Sequence, residues 1–328
     1  MLNGLIDAYT QSILVFTGIS IIAAYSFFVP FKTGQVSLGQ AGFMAVGAYM
    51  SGIITQKFGL PFIIALPVGG LVAGVIGAAV GFPALRIKGI YLLLLTLGFC
   101  EIVQVVILSW DYAGGAQGFR NIPYNSHTLE YVVVLIAILI VFLARLERSS
   151  LGRAMDSIEQ DETAAEVMGI DVVRIKLSAF AIGATIAGLA GALFAHHTTY
   201  VDSTTFNIML AVEILTYVVV GGGSTYWGPA LGACVLTLLP EFLRTLRDGL
   251  ELTPVAWTNF YPMNRIYDFL HGFLDFENAK RLIVYGIILI VMMIVRPDGL
   301  LTRDSVHQLT ERLSQRLRQV RKRIASHA

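Results

Sequence analysis

Two carboxylates stand inside apolar runs long enough to cross a membrane. Glu101 lies in "KGIYLLLLTLGFCEIV" (88–103), with Gln104 one turn further on, and Glu213 lies in 208–221, with Thr216 and Tyr217 about one turn away. A charged side chain at the bilayer centre costs about 3 kcal/mol on insertion scales. Each carboxylate is therefore expected to face a transport path or a protein neighbour, or to be protonated. Two readings stand side by side: a hydrogen-bond bracket between helices, or a polar point on a substrate path.

Polar groups also cluster where two apolar runs begin. "GQVSLGQ" (34–40) brings Ser37 and Gln40 to one start, and "GGGSTYWG" (221–228) brings Ser224 to another. Exposed backbone N–H groups at a helix start can meet an anion or a carboxylate; a capped, tight helical hairpin is the alternative. "GGAQGF" (114–119) could form a lip to a path, a re-entrant turn or a plain loop.

No catalytic set emerges. His196 and His197 are adjacent, so they point to different faces of a helix and make a poor metal pair. There is no HExxH, and without a Gly-Lys dipeptide there is no phosphate-cradling Walker loop. Cys100 and Cys234 sit in apolar runs and read as small buried hydrophobes. No cofactor and no metal are expected.

The most distinctive stretch is "AMDSIEQDETAAEVMGIDV" (154–172), with six carboxylates and no Lys or Arg between two apolar runs. Such a segment cannot hide its apolar side chains in lipid while carrying those charges. It reads as a short helix starting near Asp161, carrying Ala164, Ala165 and Met168 along one side and stopped by Gly169. That is a docking element, or a solvated loop between helices.

These residues must be positioned by a membrane bundle. Of 328 residues, 55% are hydrophobic and 14% charged, against about 25% charged in a soluble domain; mean hydropathy is +0.71. A net charge of +1 with no basic patch gives no reason to expect nucleic acid. A crossing helix takes ~20 residues, and candidate spans run about 11–29, 37–55, 62–82, 90–109, 131–146, 175–195, 208–221, 228–246 and 282–296. The first lacks a basic leader and is expected to be a retained helix. Nine spans put the termini on opposite sides. With the C-terminus cytoplasmic, 16 of the 23 Lys and Arg lie inside, so the N-terminus is expected outside and the acidic insert inside. Gly183, Ala187 and Gly191, like Gly70, Gly74 and Ala78, recur every four residues, as close helix packing in lipid requires.

The expected organisation is an all-α polytopic membrane protein of about nine transmembrane helices, with a short cytoplasmic helix at the acidic insert that the resemblance given below implies is a coupling helix. Residues 1–301 form the transmembrane domain, with a cytoplasmic loop at about 150–174 and an outer loop at about 248–280; the resemblance given next implies that these are a permease domain and its coupling loop. Residues 302–328 form a basic amphipathic tail, in which Val306, Leu309, Leu313, Leu317, Val320 and Ile324 keep to one helical face suited to a lipid surface.

Ala164-Ala165-x-x-x-Gly169 followed by Ile175-x-Leu177 resembles the EAA loop of ABC importer permeases, with Thr163 in the glutamate position and Glu162 one residue earlier. "GQVSLGQAGFMAVGAY" (34–49), 88–103, "GGAQGF", "SLGRAMDSI" (150–158), "VVVGGGSTYWGPALGA" (218–233) and "RPDGLL" (296–301) are together similar to the branched-chain amino acid permeases of the LivM/LivH type, nearer the LivM branch. The resemblance covers about 30–301. It implies a coupling helix, with Glu162, Ala164, Ala165, Met168 and Gly169, that docks on an ATP-binding subunit. It also implies two such subunits, a second homologous permease, a periplasmic binding protein and a place in the bacterial inner membrane. Branched-chain or other hydrophobic amino acids are the expected cargo, with urea or short amides as the alternative. An ATP-independent secondary transporter would be expected to carry more intramembrane ionisable residues than Glu101 and Glu213.

Overall fold

In the computed structural model, residues 8–251 are described, apart from Arg86, Lys88 and Ser126. They form ten α-helices: α1 (Ala8–Phe31), α2 (Gln40–Lys57), α3 (Phe62–Ala84), α4 (Ile90–Ser109), α5 (Thr128–Arg148), α6 (Ser150–Gln160), α7 (Glu162–Val167), α8 (Val172–Thr198), α9 (Ile208–Gly221) and α10 (Trp227–Glu251). Among the described residues the only β pairing is an isolated antiparallel bridge, Phe119 with Val201. The first eight expected spans coincide with helices. The ninth span, the basic tail and nearly all of the outer loop lie outside the described residues.

Among the described residues, five helices are long and apolar enough to cross a membrane: α1 from Tyr9, α3, α4, α5 and α8. α9 is apolar but has 14 residues. α2 is less apolar because it runs through protein: 14 of its 18 residues are buried, among them Gln40, Ser51 and Thr55. Polar side chains are tolerated there because each reaches a partner inside the bundle.

The bundle is built around α8, which packs on α1, α2 and α3. Small residues let these backbones approach. A side chain on Gly183 would place its Cβ 2.6 Å from the Ser26 carbonyl oxygen of α1, and one on Gly70 would meet Leu189 at 2.7 Å. Gly191 sits against the Met44 carbonyl and Gly74 against the Thr185 hydroxyl. α9 and α10 form a hairpin whose glycines, Gly221, Gly228 and Gly232, touch backbone of the opposite arm. By contrast α3, α4 and α5 are peripheral, with only 33%, 28% and 22% of their apolar windows buried. Their outward rows, such as Leu71, Val75, Leu94, Val105, Val134 and Ile138, are exposed and suit lipid or a membrane partner.

The acidic insert differs from the single helix expected from Asp161. α6 precedes it, started by Ser149, whose hydroxyl accepts the Gly152 N–H at 3.1 Å. Gly152, Met155 and Ile158 recur at helical spacing and are buried. Asp161 then ends α6 in extended conformation and caps α7, accepting the Ala164 N–H at 3.0 Å. Asp171 in turn caps α8, accepting the Arg174 N–H at 3.1 Å.

Candidate functional site

A cavity of about 410 Å³ opens between α1, α9 and α10. Its walls are mainly apolar, with Phe16, Ile19, Met44, Phe194 and Ile214 among them. Six polar side chains interrupt that surface: Ser20 from α1, Thr205 from the segment before α9, Glu213 and Tyr217 from α9, and Thr237 and Glu241 from α10. Residues four apart share a helix face, and the Tyr217 hydroxyl donates to Glu213 Oε1 at 2.8 Å. The Tyr9 hydroxyl donates to Glu241. Thr237 Oγ1 is buried and has no hydrogen-bond partner among the described residues. An apolar cavity of this size with a few polar groups has the character of a small-molecule site.

Thr216 is oriented differently from its neighbours. It is buried, and its hydroxyl donates to the Val212 carbonyl at 2.8 Å within α9. Glu241 escaped the sequence reading, although it lies inside the expected span 228–246 and carries the same signal as Glu213, a carboxylate in an apolar run.

Glu101 does not line the cavity. It is exposed on α4, next to the exposed Ile102 and on the same helix as Leu94 and Val105. Gln104 turns inward, where its Nε2 donates to the Phe206 carbonyl at 3.1 Å and ties α4 to the segment before α9.

Ser37 and Gln40 are buried brackets at the start of α2. The Gly39 N–H donates to Ser37 Oγ at 3.1 Å, and Gln40 Nε2 donates to the Ser26 carbonyl at 3.2 Å. The Leu38 N–H donates to Thr96 Oγ1 at 3.0 Å and the Gly42 N–H to Cys100 Sγ at 3.2 Å, both on α4. Amides that could have met an anion are thus occupied by side chains.

His196 is a bracket too: its Nε2 pairs with Thr55 Oγ1 at 3.0 Å. No group of His, Cys, Asp and Glu suited to a metal ion occurs among the described residues. "GGAQGF" is a loop docked on the α8–α9 connection: the Phe119 N–H donates to the Val201 carbonyl at 2.7 Å, and Gly118 lies against Tyr200. On the same connection Asp202 is partly desolvated, which raises its pKa. Hydrogen bonds from Thr205 and Thr204 outweigh this and hold the carboxyl below its usual range.

The α6–α7 segment forms a separate surface feature. Ala165 is buried in a small cluster with Ile158 and Val172, so it faces inward rather than sharing a side with Ala164 and Met168. Ala164 is exposed, and Val167 and Met168 are each 82% exposed. Gly169 follows with φ +83, a left-handed conformation that favours glycine and turns the chain toward α8. Glu162 is paired with Lys176 of α8 at 2.8 Å. The segment therefore presents two apolar side chains outward from a base fastened to the bundle.

Residues 9–293 match the family described as "Branched-chain amino acid transport system / permease component". The chain is 30% identical to the high-affinity branched-chain amino acid transport system permease protein LivM of Salmonella typhimurium and 31% identical to that of Escherichia coli. Each match covers 91% of this chain and 70% of the relative. It is 22% identical to a probable LivM permease of Methanocaldococcus jannaschii, over 74% of this chain and 69% of that one. No solved structure matches.

Proposed function

The chain belongs to the permease components of branched-chain amino acid transport systems, and from that membership we propose how its parts serve import. It is the membrane-spanning permease subunit of an ABC importer. Branched-chain or other hydrophobic amino acids pass inward through it, and ATP is hydrolysed on separate subunits. It works with two ATP-binding subunits, a second homologous permease and a periplasmic binding protein in the bacterial inner membrane, with its N-terminus outside and its C-terminus in the cytoplasm. Residues 1–301 are the permease domain, and 302–328 form the basic tail.

The observation that carries the coupling role is the exposed pair Val167 and Met168 at the end of α7. Large apolar side chains standing in an acidic surface segment mark a protein contact, and α7 matches the EAA-like motif. Glu162, Ala164, Met168 and Gly169 form or shape the face that docks on an ATP-binding subunit, while Ala165 seats it on the bundle.

Glu213, with Tyr217, is the polar point of the substrate path in the α1–α9–α10 cavity. Its apolar walls favour a branched aliphatic side chain over urea or a short amide, which would leave those walls without a complement. Gln104 holds α4 in place beside the path, as Ser37 and Gln40 hold the start of α2, while Thr216 is buried with its hydroxyl bonded within α9. Glu101, exposed mid-helix, is covered by the second permease or by water, because lipid would cost about 3 kcal/mol.

A Met168→Cys variant in the assembled transporter tests the docking face. It should crosslink to the ATP-binding subunit, whereas a cysteine at Val134, on the exposed row of α5, should not. Absence of any Met168→Cys crosslink in an active complex would remove the assignment.

A further inference from the structure

Lys32, just past the end of α1, is 4% exposed, an uncommon place for a lysine. Its Nζ lies 3.1 Å from Asp156 Oδ1 of α6 and 3.3 Å from Glu147 Oε1 at the end of α5. Phe28, Val29, Leu143, Leu146 and Met155 surround the cluster with apolar surface. Met155, one residue before Asp156, is fully buried. One cation thus joins three helices in a place where water screens little.

What Lys32 joins matters more than the pairing itself. α6 is separated from α7 by the single residue Asp161, which ends one helix and caps the other. α1 continues from Lys32 back into the bundle, where Ile13, Phe16, Ile19, Ser20 and Ala23 form one wall of the cavity. A second ion pair, Lys176 with Glu162, fastens α7 to α8, and Phe194 of α8 lines the same cavity. The exposed α7 face is therefore joined to two cavity-lining helices by two ion pairs, of which the Lys32 pair is the more buried.

We propose that Lys32 is a positioning residue for transport, the link that passes displacement of α6–α7 to α1 and so to the wall of the cavity. It touches neither cargo nor nucleotide and acts by keeping α1 in register with the coupling segment. The inference rests on reading α7 as the face that docks the ATP-binding subunit. Coupling needs a contiguous element whose position both ends bias, and a cluster around a buried ammonium resists slippage better than apolar contacts, since separation would leave that ammonium without its carboxylates inside protein.

The test uses the whole transporter with its ATP-binding subunits and binding protein in proteoliposomes, reading leucine moved per ATP hydrolysed. Lys32→Met alone would leave two half-buried carboxylates facing each other without that cation and could prevent assembly. The triple variant Lys32→Met, Glu147→Gln, Asp156→Asn removes all three charges together, a replacement folds often tolerate. It should assemble in normal yield and hydrolyse ATP at the basal rate, while leucine per ATP falls about tenfold, within the usual range of coupling energies. Lys32→Arg should keep the ratio near that of wild type. A triple variant that couples normally, or one that fails to assemble, would overturn the proposal, as would an arginine variant uncoupled to the same degree. A wild-type complex without ATP-driven uptake would instead overturn the functional reading beneath it.

Discussion

Gly47 of α2 and Gly188 of α8 meet backbone to backbone: a Cβ on Gly47 would fall inside the contact radius of the Gly188 carbonyl, and one on Gly188 would lie 2.5 Å from Ala73 of α3. Three helices are thereby held at a distance that only small residues permit. Gly47→Val should lower the thermal midpoint of the detergent-solubilised protein markedly, because backbone rather than a flexible side chain would have to move; overpacking alone costs about 1–3 kcal/mol. Gly98→Ala, on α4 with no atom within 4 Å of the new Cβ, should leave the midpoint unchanged. Equal midpoints for Gly47→Val and wild type would contradict the packing described.

Glu213 and its Tyr217 donor test the path. Glu213→Gln keeps a polar side chain but removes the charge, and should reduce uptake of leucine by about tenfold, comparable to loss of one charged hydrogen bond, with assembly intact. Tyr217→Phe should cost less, since it removes only the donor. Uptake unchanged in both would move the path away from this cavity.

For Glu101 the informative comparison is between two replacements. Glu101→Leu should impair assembly with the second permease, or uptake, more than Glu101→Gln, which retains hydrogen bonding. Pull-down yield and transport rate check this. If both variants behaved as wild type, Glu101 would have no partner whose loss matters.

The helices were legible because apolar runs bounded by Gly, Pro and polar residues announce themselves, and 90–109 and 208–221 were read to the residue. Contacts between distant segments were not. Lys32 is in sequence one of the 16 cations expected inside and no more, since nothing pairs it with Glu147 and Asp156 more than 100 residues away. The start of α2 looked like either an anion cradle or a capped hairpin, and the deciding partners, Thr96 and Cys100, come from α4. α6 is hard to see because three charged residues, Arg153, Asp156 and Glu159, interrupt its buried stripe of Gly152, Met155 and Ile158. The sequence places Ala165 on the same side as Ala164 and Met168, whereas in the bundle it packs inward on Ile158 and Val172. Expected order in a six-residue helix says little about which side the bundle takes.

The most direct measurement compares wild type with Gly169→Arg in proteoliposomes containing both permeases, the ATP-binding subunits and leucine-loaded binding protein. Gly169 holds φ +83 beside the exposed α7 face, so arginine there would strain the turn and crowd the contact. The expected result is leucine uptake that requires ATP in wild type, and in the variant an assembled complex that hydrolyses ATP without moving leucine. ATP-driven uptake at the wild-type rate in Gly169→Arg, or uptake by the wild type without ATP, would contradict the account.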